Sequence, residues 1–380
     1  MVPVVEPPPA PGAKPISDVE AEKFALELQT AVLKKDAAKV VSLMRVDRIV
    51  ERVLVEVNPS EASQRAIRAT FKPRTGEGFA RKLIANLQPG VRFDLLRVRR
   101  SADGPVAVYR LLGEPGMNYY LMTLERTEGG EVAVRDYSVV MDGMPIGETV
   151  RRNILEGEAA FGPAARSKLK ERDRNAISAL EQSGAFVKLA NDGKHAEALE
   201  AYRKLPPDIR AERMTHFVAV HCALQVNEVE FAKEFTAFRD AMPNDPSLLF
   251  MSLSFHESRG EHQEYLKAID AIEAVVGADP HLDVLRSRSY HRQGKGEEAV
   301  ATAEKAARLD PTLGEAYWQL AELRLAQKEF AKVASALRAV IEQGKEDFDP
   351  EQLVEEKAYT EFCKSPEFTE FRKWYAARKK

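Results

Sequence analysis

Three columns of apolar residues, repeated every 33 or 34 positions, restrict the fold of this 380-residue chain more than any other feature. Ala198, Phe231, Tyr265, Ala299 and Val333 are spaced 33, 34, 34 and 34 residues apart. Four residues on in each copy stand Tyr202, Phe235, Ile269, Ala303 and Leu337. Three further on stand Leu205, Phe238, Ile272, Ala306 and Val340. Steps of four and three keep all three columns on one helical face. Gly193, Gly260 and Gly294 separate helical patterns within copies, and Lys328 follows Gly294 by 34. A helical hairpin of this length cannot bury its apolar face alone, so neighbours must cover it. The columns predict an all-α solenoid of about five hairpins over residues 179–345.

The best copy, "PTLGEAYWQLAELRLAQKEF" (311–330), resembles the tetratricopeptide repeat. Tyr317 holds the early aromatic position, Leu320 and Ala321 the leucine–small pair, and Val333 the small position of the second helix. Pro243 and Pro311 stand where the family places proline. Pro280 is displaced by three residues, and the first copy has none. The resemblance implies a concave groove lined by the first helix of each copy. Copy two then contributes Arg213, His216 and Val220. Copy three contributes Ser247, Phe250, Ser254, Glu257 and Ser258. Copy four contributes His281, Val284, Arg288, His291 and Arg292, and copy five Glu315, Trp318 and Glu322. The surface is basic in copy four, acidic and aromatic in copy five. The Lys and Asn with which some relatives grip a peptide C-terminus are missing from copies two to five. An extended or helical segment with an acidic stretch beside an apolar anchor is complementary. The competing reading is a groove filled by the protein's own N-terminal domain or C-terminal cap.

The first 150 residues follow another pattern. Ser17 and Glu20 form a capping box, in which each side chain satisfies a backbone N–H at a helix start. Phe24, Leu28 and Val32 follow on one face. Asp36 caps a second helix bearing Val40, Leu43, Met44 and Val50. Pro59-Ser60 opens a third, and Thr75 a fourth with Phe79, Leu83 and Leu87 inward, ended by Pro89-Gly90. The period then becomes two. "VRFDLLRVRR" (91–100), "PVAVYRLLG" (105–113), "NYYLMTLERT" (118–127) and "EVAVRDYSVVM" (131–141) are separated by Asp103-Gly104, Pro115-Gly116 and Gly129-Gly130, and Asp142-Gly143 closes the series. Helices followed by a four-stranded antiparallel meander predict an α+β domain over 17–150. This order resembles the nuclear-transport-factor-2-like, or cystatin-like, cone. That family includes dimerisation modules, small-ligand binders and a few enzymes.

Within the cone, Asp136 shares an alternating face with Val132, Val134, Ser138 and Val140. A carboxylate on an apolar pocket wall can serve as a general base. The domain holds no histidine, and an aspartate at the rim paired with Arg97 or Arg135 explains the residue equally. Residues 1–16 read as a disordered proline-rich tail and 151–178 as a connecting helix. Residues 346–380 read as a helical cap through Leu353, Tyr359, Phe362, Phe368, Phe371 and Trp374, similar to the tails of repeat arrays in many bacterial proteins.

Several chemistries lack their residues. His216 and His221 are five apart and His256 and His262 six apart, not the i, i+4 of a helical metal pair. Cys222 and Cys363 form no C-x-x-C and read as buried thiols. Gly294-x-Gly296-x-x-Ala299 joins two helices and follows no strand, so it is no dinucleotide fingerprint. No cofactor is expected. The net charge of −3 and the lack of stacking aromatics beside "LLRVRR" argue against nucleic acid. No apolar run reaches the roughly 18 residues of a membrane span. The expected function is a non-enzymatic scaffold that presents its groove to a protein or peptide, with the N-terminal domain dimerising or anchoring. The alternatives are a small-molecule-binding, even catalytic, cone with accessory repeats, or a cell-envelope assembly factor. The cytoplasm is the default compartment, and the envelope applies if a signal or anchor was trimmed from the N-terminus.

Overall fold

A computed structural model describes residues 14–113, 116–160, 167 and 169–378, with the backbone alone at 70–76 and 160. The chain divides into two compact units after Met251.

In the first unit, helix α1 (Asp18–Leu33) starts at the capping box. Ser17 N–H donates to Glu20 Oε2 at 2.9 Å, and Glu20 N–H donates to Ser17 Oγ at 3.3 Å. The single helix expected after Asp36 is two, α2 (Ala37–Met44) and α3 (Val46–Val57). Arg45 turns left-handed between them, at φ +47°. Conversely, the break expected at Thr75 is absent, because α4 runs continuously from Glu61 to Ala85. Strands β1 (Arg92–Ser101), β2 (Gly104–Gly113), β3 (Gly116–Arg126) and β4 (Val132–Val139) form the expected antiparallel meander. Pro115 lies outside the described residues. A fifth strand, β5 (Met144–Pro145), corrects the count of four: the Asp142-Gly143 turn folds the chain back so that Val139 pairs with Met144.

The core lies between α1, α2, α4 and one sheet face, around Phe24, Leu28, Met44, Phe93, Tyr109 and Met122. Phe93 stacks on Tyr109 with centroids 4.9 Å apart, and the Tyr109 hydroxyl donates to the Ala25 carbonyl at 3.0 Å. The opposite sheet face is buried too, at Val106, Val108, Arg110, Leu112 and Tyr119. Burial on both faces explains why "VAVY" shows no polar alternation. Arg110, 1% exposed, donates to Asp94 at 2.8 Å. Ile16 is buried in the core, and Arg126 binds the Lys14 carbonyl, so residues 14–16 belong to the domain rather than to a tail. The proline-rich residues 1–13 lie outside the described residues.

The span read as one connecting helix holds parts of two, α5 (Ile146–Ala160) and α6 (Glu171–Asn191). Both pack on α3. Val46 and Ile49 of α3 face the sheet core, whereas Val50, Val53, Leu54 and Val57 join Ile154, Leu155 and Ile177 in a second core. Hairpins follow: α6 with α7 (His195–Arg203), then, after the single turn α8 (Pro207–Arg210), α9 (Arg213–Val226) with α10 (Glu228–Ala241). Helix α11 (Leu248–Ser258) spans the division between units. The second unit continues with α12 (His262–Val276), α13 (Pro280–Arg292), α14 (Gly296–Leu309), α15 (Gly314–Ala326) and α16 (Phe330–Glu342). The second helices of the five pairs begin at His195, Glu228, His262, Gly296 and Phe330, which are 33, 34, 34 and 34 residues apart. Every column residue is buried except Leu205, which is half-buried because α7 ends at Arg203. The fold is thus an α+β domain with a five-stranded antiparallel sheet, followed by a tetratricopeptide-like helical array.

The array is closed at its C-terminal end. Phe362, Phe368, Phe371 and Tyr375 cover Ala321, Val333, Leu337 and Ile341. Trp374, half-buried, packs on Phe371 at 5.6 Å.

Two outcomes follow from this packing. Ala321, fully buried, has no room for added carbons, so Ala321→Leu should cost about 1–3 kcal/mol, measured as a lowered urea midpoint. Hydrogen bonds from Ser17 and the Arg126 guanidinium hold the Glu20 carboxyl down at about 2. Because folding depresses this value, the stability it confers is present above the unfolded glutamate pKa, roughly 4.3. It is lost as pH falls from there through about 2. An NMR titration of Glu20 should show this midpoint, and Arg126→Ala should raise it.

Candidate functional site

The residues expected along the groove divide into three groups. Those of copy two and the start of copy three are occupied within the first unit. Arg213 grips Asp245 with two bonds, Nε to Oδ2 at 2.5 Å and Nη2 to Oδ1 at 3.1 Å, and Nη2 also donates to the Asp142 carbonyl at 2.8 Å. Asp245 Oδ1 accepts from the Ser247 N–H at 3.0 Å and hydroxyl at 2.6 Å. Gly143, at φ +63°, sits against this cluster, and a Cβ there would lie 2.6 Å from both Arg213 Nη2 and Ser247 N. The Phe250 ring lies 6.1 Å from that of Tyr119, on the sheet face away from the core. His216 is buried, stacked on Phe238 at 5.6 Å, and burial pushes its imidazole pKa down. Arg213, His216 and Phe250 therefore hold the protein together, which corrects their assignment to a partner surface. A mixed charged and aromatic face complements the protein's own turn and strand as well as it would a foreign segment.

At copy five the same correction applies to Trp318. Its Nε1 donates to Glu346 Oε2 at 2.9 Å and its ring packs on Phe348 at 4.8 Å, so the segment after α16 covers it. Glu315 is half-buried, and His281 of copy four is buried at 5% exposure. The third group stays at the surface: His291, Arg292, Glu257 and Glu322 are exposed and Arg288 half-buried. Arg288, His291 and Arg292 lie within one turn of α13, and Arg292 Nη1 meets Glu257 Oε1 at 2.5 Å. Beneath them burial, with Glu257, pushes the Tyr265 phenol up to about 12, against the pull of Arg292 and Arg288.

Asp136 is not on the core face. Thr123 pairs with Asp136 while Leu124 pairs with Val134, so Arg135 is an extra residue and the alternation reverses there. Val132, Val134, Tyr137 and Val139 face the core instead. The Asp136 carboxylate pairs with Arg52 at 3.5 Å and accepts from Gly147 N–H at 3.1 Å. The core-face cavity, about 580 Å³, is lined by Phe79, Leu83, Asn86, Tyr120 and Tyr137 and does not include Asp136. Asp136 lines a different cleft of about 590 Å³ beside α3, α5 and α6. Periodicity misses this cleft, because its walls come from elements far apart in sequence. Among the described residues, no group of three or more His, Cys, Asp or Glu is placed to hold a metal ion. No helix there is long and apolar enough to cross a membrane.

No protein-family model matches the chain, and no curated protein matches it. Among solved structures it is similar to MamA, residues 41 to the end, from Desulfovibrio magneticus RS-1. The identity is 15%, over 44% of this chain and 95% of that one, with a TM-score of 0.38. A MamA RS-1 ArsTM double mutant matches at 15% identity, over 43% and 95% of the two chains, with a TM-score of 0.37. At such similarity, the array is defined by its own helix spacing.

Removing Arg213 leaves the buried Asp245 carboxylate without its cation. Arg213→Ala should cost about 3 kcal/mol in urea unfolding, and a loss below about 1 kcal/mol would mark the pair as incidental.

Proposed function

We propose that this chain is a non-enzymatic protein-interaction scaffold whose open contact surface is the Arg288, His291 and Arg292 face of α13. The observation that carries the reading is the contrast along the expected groove. Copy two and the start of copy three meet the sheet and its β4–β5 turn, and Trp318 of copy five meets the C-terminal segment, whereas copy four keeps two arginines and a histidine at the surface, with Glu257 and Glu322 exposed in the copies on either side. Among the described residues, Glu257 pairs with Arg292 and no carboxylate pairs with Arg288. The partner is a segment with an acidic stretch, drawn to this face by charge. The N-terminal α+β domain, in this reading a cone of the nuclear-transport-factor-2-like kind, anchors the first hairpins through α3. With both sheet faces buried, a homodimer through this domain has to use its helical side, where Val19, Leu26 and Leu33 are exposed.

A second reading rests on the core-face cavity, whose aromatic wall and Asn86–Tyr120 hydrogen bond of 3.2 Å suit a small apolar ligand with one polar group. Here the repeats are accessory.

The two readings separate in one experiment. Affinity capture from the native host with Arg288→Glu/Arg292→Glu should lose the partner at least tenfold, whereas Leu83→Trp, which fills the cavity, should retain it. Retention by the double variant and loss by Leu83→Trp would favour the second reading. Trp318→Ala should lower the melting temperature without selectively affecting capture.

A further inference from the structure

The cleft beside α3, α5 and α6 contains a feature that neither reading uses. Asp173, on the first turn of α6, is 1% exposed, and its Oδ1 accepts from Arg151 of α5. Asp173 lines the cleft, and its Oδ2 is buried with no hydrogen-bond partner among the described residues. A bare lone pair on a buried carboxylate is costly unless a donor reaches it.

The sign of that donor follows from the other charges. Six carboxylates and five arginines line the cleft. Arg52 is bound to Asp136, Arg213 to Asp245, and Arg152 to Glu156, which stands outside the lining. Glu148, Glu212 and Arg172 are exposed and form no ion pair among the described residues, so carboxylates outnumber arginines both among these exposed groups and in the whole lining. An anion would find its floor arginine, Arg151, already taken by Asp173 and within 4.0 Å of Glu56. A cation would find an unused acceptor below and two carboxylates against one arginine at the rim. The wall between is apolar, with Leu155 on α5 facing the Ala176, Ala179 and Leu180 stripe of α6. The volume, about 590 Å³, lies within the range of small-ligand sites.

We infer that this cleft binds a primary ammonium or guanidinium group on an aliphatic stem, the cation donating to Asp173 Oδ2 and the stem lying on the α6 stripe. A free amine and a lysine or arginine side chain of a partner both present this chemistry.

Calorimetry on the full chain distinguishes the two sources. The probes are 1,6-diaminohexane and agmatine as free amines, a blocked Ala-Lys-Ala peptide, and hexanoate as the charge-reversed control. At least one cationic probe should bind with 1:1 stoichiometry while hexanoate does not. Binding by the free amines alone assigns a small-molecule site, and binding by the peptide assigns a partner side chain. Asp173→Asn should weaken the cation at least tenfold. Should that variant unfold for lack of its partner to Arg151, Ala179→Leu decides: it fills the wall, leaves the ion pair intact and should weaken binding similarly at an unchanged melting temperature. Binding of hexanoate equal to the amines, no binding by any cation, or full affinity in Ala179→Leu would overturn the proposal. Arg288→Glu/Arg292→Glu should leave it unchanged, which separates its failure from that of the scaffold reading.

Discussion

A pair of short amphipathic helices has one apolar face too many. The hairpin seam buries one side, and the outer side needs a neighbour. In this chain the array ends on built surfaces rather than on water. At its start α6 belongs both to the first hairpin and to the core that α3 and α5 form around Val53, Ile154 and Ile177. At its end the aromatic cluster of Phe362, Phe368 and Phe371 closes the last pair. Helix α3 makes the first of these possible, because it is apolar on two sides and serves two cores.

The same demand explains why so little of the expected groove is free. The sheet is buried on both faces, and the outer one needs partners of its own. Phe250 meets Tyr119 there, and Arg213 fastens the Asp142–Gly143 turn while neutralising Asp245. These contacts give internal partners to residues that the repeat pattern alone would place along a groove. The C-terminal segment does the same to Trp318 through Glu346 and Phe348. What stays open includes a charged patch on α13, and charge at a surface is inexpensive to keep solvated.

Much of the fold was legible in the chain. The column spacing of 33 and 34 reappears in the helix starts, because burial of one face per helix imposes that period on the sequence. The four long strands were legible through their glycine turns. Other features were not. A left-handed Arg45 splits a helix without any glycine to announce it. The extra residue at Arg135 turns Asp136 away from the core, and a bulge has no periodic signature. Strand β5 is two residues long, too short to carry any pattern.

The sequence by itself determined that helical hairpins stack after an α+β domain, and which residues form their seams. Such local, repeated burial leaves a periodic trace. Which polar residues are used internally and which remain at the surface was decided only by tertiary structure. Arg213 and Arg288 are alike as side chains. One lies beside a buried aspartate and a backbone carbonyl brought near it by a distant turn, and the other does not. The cleft at Asp173 arises in the same way, where helices from separate parts of the chain meet around a buried carboxylate whose Oδ2 has no partner among the described residues.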